Sequence, residues 1–252
     1  MTNHTLACEH CAERKGRAFA HQITMAFQPI FDLGTGGVFA QEALLRGADG
    51  RGAGEMLRLV DDENIYNFDQ TCRITAIRLA ARLGLADSLS INFMPNAVYE
   101  PSACIRRTLW AADACDFPIE RIIFEFTEVE RVRDKAHLKN IVASYKAMGF
   151  RTAIDDFGAG YSGLTLIADV VPDIVKLDRG LVSGIDRDPT RRTIVEALRG
   201  MCRDLGIRVI AEGIETADEL RALRDLGITL VQGYLLARPR FEALQSEADI
   251  RL

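Results

Sequence analysis

No run of about 18 apolar residues occurs in the chain, so no segment reads as a membrane-spanning helix, and Met1 to Lys15 are too polar for a signal peptide. A soluble protein is expected. A basic excess is missing as well, because 31 Lys and Arg face 36 Asp and Glu for a net charge of -5. That balance excludes a broad surface for polymeric nucleic acid or anionic lipid, so an anionic ligand has to be met locally. Histidine is scarce, and the six cysteines, Cys8, Cys11, Cys72, Cys104, Cys115 and Cys202, are scattered. A chain of this size needs no disulfide staples, which makes a reducing cytoplasm the expected setting. Cys8 and Cys11 do form one C-x-x-C beside His4 and His10. A zinc site normally draws on two spaced ligand pairs, so exposed reduced thiols are the reading and zinc the alternative.

What the chain does have is apolar residues, 48% of its 252, enough for one large core. Six short apolar runs each end in a polar residue: Asn92, Glu125, Asp155 followed by Asp156, Lys176, Glu212 and Gln232. A strand buried on both faces reads as an unbroken apolar run, and a polar residue at its end is costly unless it serves a site. Active sites of (β/α)8 barrels are built from the C-terminal ends of several strands, so the pattern predicts an α/β fold, a TIM-like (β/α)8 barrel. Strands are expected at 25–31, 38–45, 89–93, 121–127, 152–155, 174–177, 209–212 and 230–232. The helix from Lys135 should bury Leu138, Ile141, Val142, Tyr145 and Met148; the one from Arg191 should bury Ile194, Val195, Leu198, Met201, Cys202 and Leu205. Gly84, Gly149, Gly206 and Gly227 mark helix ends, and Thr216 with Glu219 makes a capping box. Residues 1–23 stand outside this alternation as a polar lead-in, leaving 24–252 as the barrel.

Glu42, Glu125, Asp155, Asp156 and Glu212 would then crowd one mouth of the barrel. Two carboxylates about 4 Å apart repel by roughly 4 kcal/mol even at an effective dielectric near 20, so the cluster calls for cations. Hard oxygen ligands plus the Asn92 amide favour magnesium or manganese over zinc. Two such ions sharing one carboxylate suit phosphoester hydrolysis. A competing motif is Gly158-Ala159-Gly160-Tyr161-Ser162-Gly163, which fits the G-x-G-x-x-G of dinucleotide-binding enzymes. Asp155 and Asp156 stand between strand and glycine, where they would repel the pyrophosphate, and this excludes that reading.

Phe27-Gln28-Pro29-Ile30 and Glu42-Ala43-Leu44-Leu45-Arg46 closely resemble the EAL domain of cyclic di-GMP phosphodiesterases. The likeness continues in order through Ser90-Ile91-Asn92-Phe93, Phe124-Glu125-Phe126-Thr127-Glu128, the segment from Ile154 to Ser162, Lys176-Leu177-Asp178, Glu212-Gly213-Ile214 and Gln232-Gly233-Tyr234, covering residues 25 to 240. The resemblance implies a barrel whose irregular first strand runs antiparallel to its neighbours, and hydrolysis of cyclic di-GMP to linear pGpG with two Mg2+ or Mn2+ ions per site. By position, Glu42, Asn92, Glu125 and Asp155 match ligands of the first ion, and Asp155 would bridge to a second held with Asp156 and Glu212. Glu212 matches either a ligand or the general base. Lys176 matches an ammonium that orients water or steadies developing charge; Gln28, Arg46, Gln232 and Tyr234 match substrate-holding positions. Glu128 matches a glutamate that holds the 155–162 loop. Pairing of relatives through helices near that loop implies a homodimer. After Arg46, Gly47-Ala48-Asp49-Gly50 replaces the usual Trp and His-Pro loop, and this is similar to the subgroup fused to blue-light BLUF sensors. The alternative function is an inactive EAL domain that only binds cyclic di-GMP, against which the ligand positions are all retained.

Overall fold

A computed structural model describes residues 16–127, 135–160 and 163–250. Within them the chain alternates as β1 (Ile23–Asp32), β2 (Gly37–Gly47), α1 (Ala53–Leu57), α2 (Ile65–Arg82), β3 (Ser88–Asn92), α3 (Pro101–Cys104), α4 (Arg106–Asp113), β4 (Ile122–Thr127) and α5 (Lys135–Ala147). It continues through β5 (Arg151–Phe157), α6 (Gly163–Asp169), β6 (Ile174–Leu177), α7 (Arg179–Val182), α8 (Pro189–Asp204), β7 (Arg208–Ala211), α9 (Ala217–Asp225), β8 (Leu230–Val231) and β9 (Arg240–Phe241). Strands β2 to β8 are neighbours in sequence order and pair in parallel, and β1 closes the ring by pairing antiparallel with both β2 and β8. The fold is the expected (β/α)8 barrel with a reversed first strand.

The reversal has a local cause. Only a tight turn separates β1 from β2, with Gly36 at φ 78° and the Asp32 carboxylate accepting from Gly34 N at 2.9 Å. So short a connection permits a hairpin and forbids the crossover that a parallel pair requires. β1 is also irregular, with a register shift at Ile30 and Phe31. The two-residue β9, absent from the expected strands, adds antiparallel to β1 at Ala26 and Phe27. Both of its residues are exposed, so it carried no alternation to read.

The helix ends fall where expected: Gly84, Gly149, Gly206 and Gly227 all have positive φ. α5 buries Leu138, Ile141, Val142 and Tyr145, and Met148 lies one residue beyond its end, packed against the same core. α8 departs from expectation. Only Val195 and Cys202 of the six apolar residues are buried, while Ile194 and Leu205 are 43% and 47% exposed. The apolar stripe read there spans more of the helix circumference than one line of contact with β7 can cover. Before β1, the chain is tied to α2: Asn67 Nδ2 donates to Gly16 O at 2.8 Å and the Phe19 ring meets Phe68 at 4.9 Å. Cys8 and Cys11 lie outside the described residues.

Candidate active site

Alternation along the strands builds the site in two layers. Ile30, Ala40, Ile123, Ala153, Ile174, Ile210 and Leu230 form a buried apolar plug inside the barrel. Two residues nearer the mouth on the same strands, or just past their ends, stand Gln28, Glu42, Glu125, Asp155, Lys176, Glu212 and Gln232. A period of two puts each polar residue directly above its apolar partner on the inward face. β3 adds Ser90 and Asn92 in the same alternation. Glu212 and Gln232 lie one residue beyond β7 and β8 rather than within them, yet sheet-like bonds hold them: Glu212 N donates to Leu177 O at 3.2 Å and Gln232 N to Ala211 O at 2.9 Å.

Lys176, 1% exposed, occupies the centre. Its Nζ lies 3.3 Å from Glu42 Oε2, 2.8 Å from Glu125 Oε2, 3.1 Å from Asp155 Oδ1 and 2.7 Å from Glu212 Oε1. Burial alone would lower its pKa, but the surrounding acids outweigh that and hold it well above the ordinary lysine value. One ammonium cannot neutralise this ring. Burial, opposed by Lys176 and reinforced by Glu42 and Asp155, pushes Glu125 up to about 8, and burial carries Glu212 well above the usual range. Glu42 goes the other way, because Lys176 and amides of Gln232 and Asn92 offset its burial. Gln232 Nε2 donates to Glu42 Oε2 at 2.9 Å and Asn92 Nδ2 to Oε1 at 3.1 Å. Ser90 Oγ donates to Glu125 Oε1.

Consecutive residues of a regular strand point to opposite faces, so Asp155 and Asp156 could not both face the mouth without distortion. Asp156 provides it, with a left-handed φ of 53° and a break in the β5–β6 register between Ile154 and Phe157. Such strain persists where the surroundings enforce it, commonly at functional sites. Both aspartates line the same cavity, and burial followed by the charge of Asp155 raises Asp156 to about 6. Gly158 then turns away at φ 99°, where any Cβ would sit 2.5 Å from Leu181 Cδ1. That glycine serves packing against α7 and not a pyrophosphate.

Carboxylate oxygens of Glu42, Glu125 and Asp155 lie within 4.8 Å of one another, as do those of Asp155, Asp156 and Glu212. The two groups share Asp155. Asp155 Oδ1 and Glu212 Oε1 are buried with the shared Lys176 ammonium against them and no further hydrogen-bond donor, and Gln232 Oε1 is buried without a hydrogen-bond partner among the described residues. Hard oxygen ligands that lie close together and share a single ammonium among five carboxylates are what a pair of hard divalent cations requires, so the residues fit such a centre.

The cavity over this layer holds about 340 Å3 and is also lined by Leu44, Arg179, Gly213, Glu215, Gly233 and Tyr234. Tyr234 is 49% exposed, with the Arg238 guanidinium 4.3 Å from its ring centroid. Gly213 allows close approach here, since a Cβ would meet Arg179 Cβ at 2.7 Å. Across Leu44 lies a second cavity of about 500 Å3, mostly apolar, between β2, β3 and α2.

The sequence matches the family described as EAL domain over residues 14–239. The chain belongs to the EAL domain family. It is 31% identical over 224 residues to the blue light- and temperature-regulated antirepressor BluF of Escherichia coli, covering 88% of this chain and 56% of that one. It is 31% identical over 227 residues to the cyclic di-GMP phosphodiesterase PA2567 of Pseudomonas aeruginosa, covering 85% and 38%. The chain thus spans about half or less of the length of these curated relatives. A standalone EAL protein of Vibrio cholerae in its c-di-GMP-bound form superposes with a TM-score of 0.88 and 50% identity, covering 90% of this chain and 96% of that one. The manganese/cyclic-diGMP complex of Klebsiella pneumoniae BlrP1 follows at 0.84 and 33%, covering 92% and 59%.

In this EAL domain the structure brings Gln28, Glu42, Asn92, Glu125, Asp155, Asp156, Lys176, Glu212, Gln232 and Tyr234 to one mouth. Arg46 stands apart. It follows Glu42 by four residues on the same face of β2, about 13 Å further out at the usual rise per residue, and its Nη1 donates to Leu45 O at 2.6 Å. Glu128 lies outside the described residues. Leu44, Ser90, Arg179 and Glu215 stand at the site without having been singled out in the sequence. The structure shows Glu215 on the cavity wall, ion-paired with Arg179. For Ser90 a signal existed, since it holds the inward position two residues before Asn92.

Proposed function

We propose that this EAL domain hydrolyses cyclic di-GMP to linear pGpG with two Mg2+ or Mn2+ ions per site. The observation that carries the reading is the pair of carboxylate groups sharing Asp155 around the single ammonium of Lys176. Glu42, Asn92, Glu125 and Asp155 are assigned to the first ion, and Asp155, Asp156 and Glu212 to the second. When bound, such ions polarise a phosphate oxygen and lower the pKa of a water toward about 7. The chain's own groups do the rest. Lys176 steadies charge developing on the phosphate, and Glu212 either completes the ligand set or takes the proton of the attacking water. Water adds its oxygen to one phosphorus, the bond to the 3′ oxygen breaks with its electron pair going to that oxygen, which takes up a proton to become the 3′-hydroxyl, and the linear product keeps a 5′-phosphate.

Substrate holding is assigned to Gln28, Arg46, Gln232 and Tyr234, with Arg46 reaching the phosphate further out. The ring face of Tyr234 opposite Arg238 suits a stacked guanine, and the apolar cavity across Leu44 has room for the other base. Glu128 is assigned to holding the 155–162 loop. Residues 24–252 are taken as the catalytic unit and 1–23 as its lead-in. A homodimer is proposed because Leu164, at the start of α6 beside that loop, and Val171, two residues past the other end of α6, are 60% and 47% exposed. The thiols of Cys72, Cys115 and Cys202, none of them in a disulfide among the described residues, support a cytoplasmic setting.

The test is chromatography of products from cyclic di-GMP. Mn2+ or Mg2+ should give pGpG, Ca2+ should allow binding with little turnover, and excess chelator should abolish hydrolysis. Full activity in chelator would refute the metal-dependent reading. Tight binding without product in Mn2+ would mark the chain as a receptor instead.

A further inference from the structure

Arg73 is the largest of the fully buried side chains, and nothing above uses it. It projects from α2 onto the outer face of the barrel wall. Its Nη2 lies 2.7 Å from Asp69 Oδ2, its Nη1 donates to Tyr145 OH at 2.9 Å, and its guanidinium lies 5.1 Å from the ring centroids of both Phe93 and Phe124. Asp69 Oδ1 in turn accepts from Met94 N at 2.9 Å. A buried ion pair of this kind is seldom the most stable way to fill a core, because apolar residues of like volume serve as well or better. Its retention asks for another purpose.

The neighbours of Arg73 supply one. Phe93 follows Asn92 and Phe124 precedes Glu125, so alternation puts the two rings outside the wall while the amide and the carboxylate face in. Phe93 N donates to Glu125 O at 2.9 Å, tying the two strand ends together. The cation sits against the backs of both ends, and through Asp69 it also pins Met94, the second residue past Asn92. Tyr145 links the same cation to α5.

We infer that Arg73 is a positioning residue, an ionic strut behind β3 and β4 that fixes the separation at which Asn92 and Glu125 share a cation. The inference rests on the metal assignment in the proposed function. Such outer partners commonly change metal affinity by about 10- to 100-fold when removed.

The test is direct Mn2+ titration by calorimetry, without substrate, on the wild-type chain and on Arg73→Met, Arg73→Lys, Tyr145→Phe and Ile77→Ala, each well below its melting temperature. Under that condition the folded population is essentially complete, so lost stability alone leaves the dissociation constant unchanged. Arg73→Met should weaken Mn2+ binding about tenfold, Arg73→Lys should recover part of the loss, and Tyr145→Phe should weaken it about threefold. Ile77→Ala, a core truncation on the same helix, should lower the melting temperature and leave Mn2+ binding at the wild-type value. Should Arg73→Met fail to fold, Tyr145→Phe carries the test, since it removes one hydroxyl and keeps the ring. Wild-type affinity in both Arg73→Met and Tyr145→Phe would overturn the inference alone. A wild-type protein that bound no Mn2+ would overturn the metal assignment and the inference with it.

Discussion

Glu42 and Arg46 lie on one face of β2 and are predicted to fail in different ways. Glu42 touches Lys176, Asn92 and Gln232 at the centre of the cluster, so Glu42→Ala should cost metal and hence rate at every substrate concentration. Steady-state kinetics at saturating substrate and rising Mn2+ would show it. Arg46 touches none of these groups in the structure. Arg46→Ala should chiefly raise KM, by the roughly 10- to 150-fold that a charge-assisted contact of about 1.5–3 kcal/mol represents, and leave the Mn2+ requirement unchanged. An unaltered KM would remove Arg46 from the substrate site. Residues of the first kind were legible because polarity at the end of an apolar run is conspicuous. Arg179 and Glu215 were not, since exposed charges flanking a helix look the same whether they pair at a cavity wall or face water.

At the scale of single elements, α9 gives the sharpest expectation. Glu219 Oε2 accepts from Glu215 N and Thr216 N at 3.0 Å each, and Oε1 accepts from Gly184 N at 2.9 Å, so one buried carboxylate ties the start of α9 to the loop after α7. Burial would raise its pKa, but those three backbone donors and the Thr216 hydroxyl outweigh burial and lower it. A lowered carboxyl contributes stability above its unfolded value near 4.3, and that contribution is lost as pH falls through the folded value. Glu219→Gln should therefore cost about 1–2 kcal/mol at pH 7, and the gap from wild type should close below about pH 4. Chemical denaturation across pH checks this. A gap that persisted undiminished into acid would deny the carboxylate its role. The capping box itself could be read from Thr216 and Glu219, whereas the bond to Gly184 could not, because it joins segments far apart in sequence. The same limit hid β9 and made the α8 stripe look fully buried: periodicity reports which face is apolar, and not how much partner surface the fold brings to it.

For the molecule as a whole, the barrel was legible because strand, helix stop and mouth residue recur in a fixed order, whereas the reversed β1 was implied by the family resemblance alone and its cause, the tight turn after Asp32, came with the structure. The placement of Asp156 was less legible, since two adjacent aspartates on a strand do not announce the left-handed backbone that turns both inward. If a second copy covers the exposed Leu164 and Val171 that flank α6, specific activity should fall on dilution through dimer dissociation, and a flat profile would separate pairing from catalysis. The central claim is that these acids converge to hold two divalent ions, and anomalous diffraction at the manganese edge from Mn2+-soaked crystals tests it most directly. Two peaks about 3.5–4 Å apart are predicted, one against Glu42, Asn92, Glu125 and Asp155, the other against Asp155, Asp156 and Glu212. No peak within reach of Asp155, with Lys176 still in contact with all four of its carboxylates, would contradict the account.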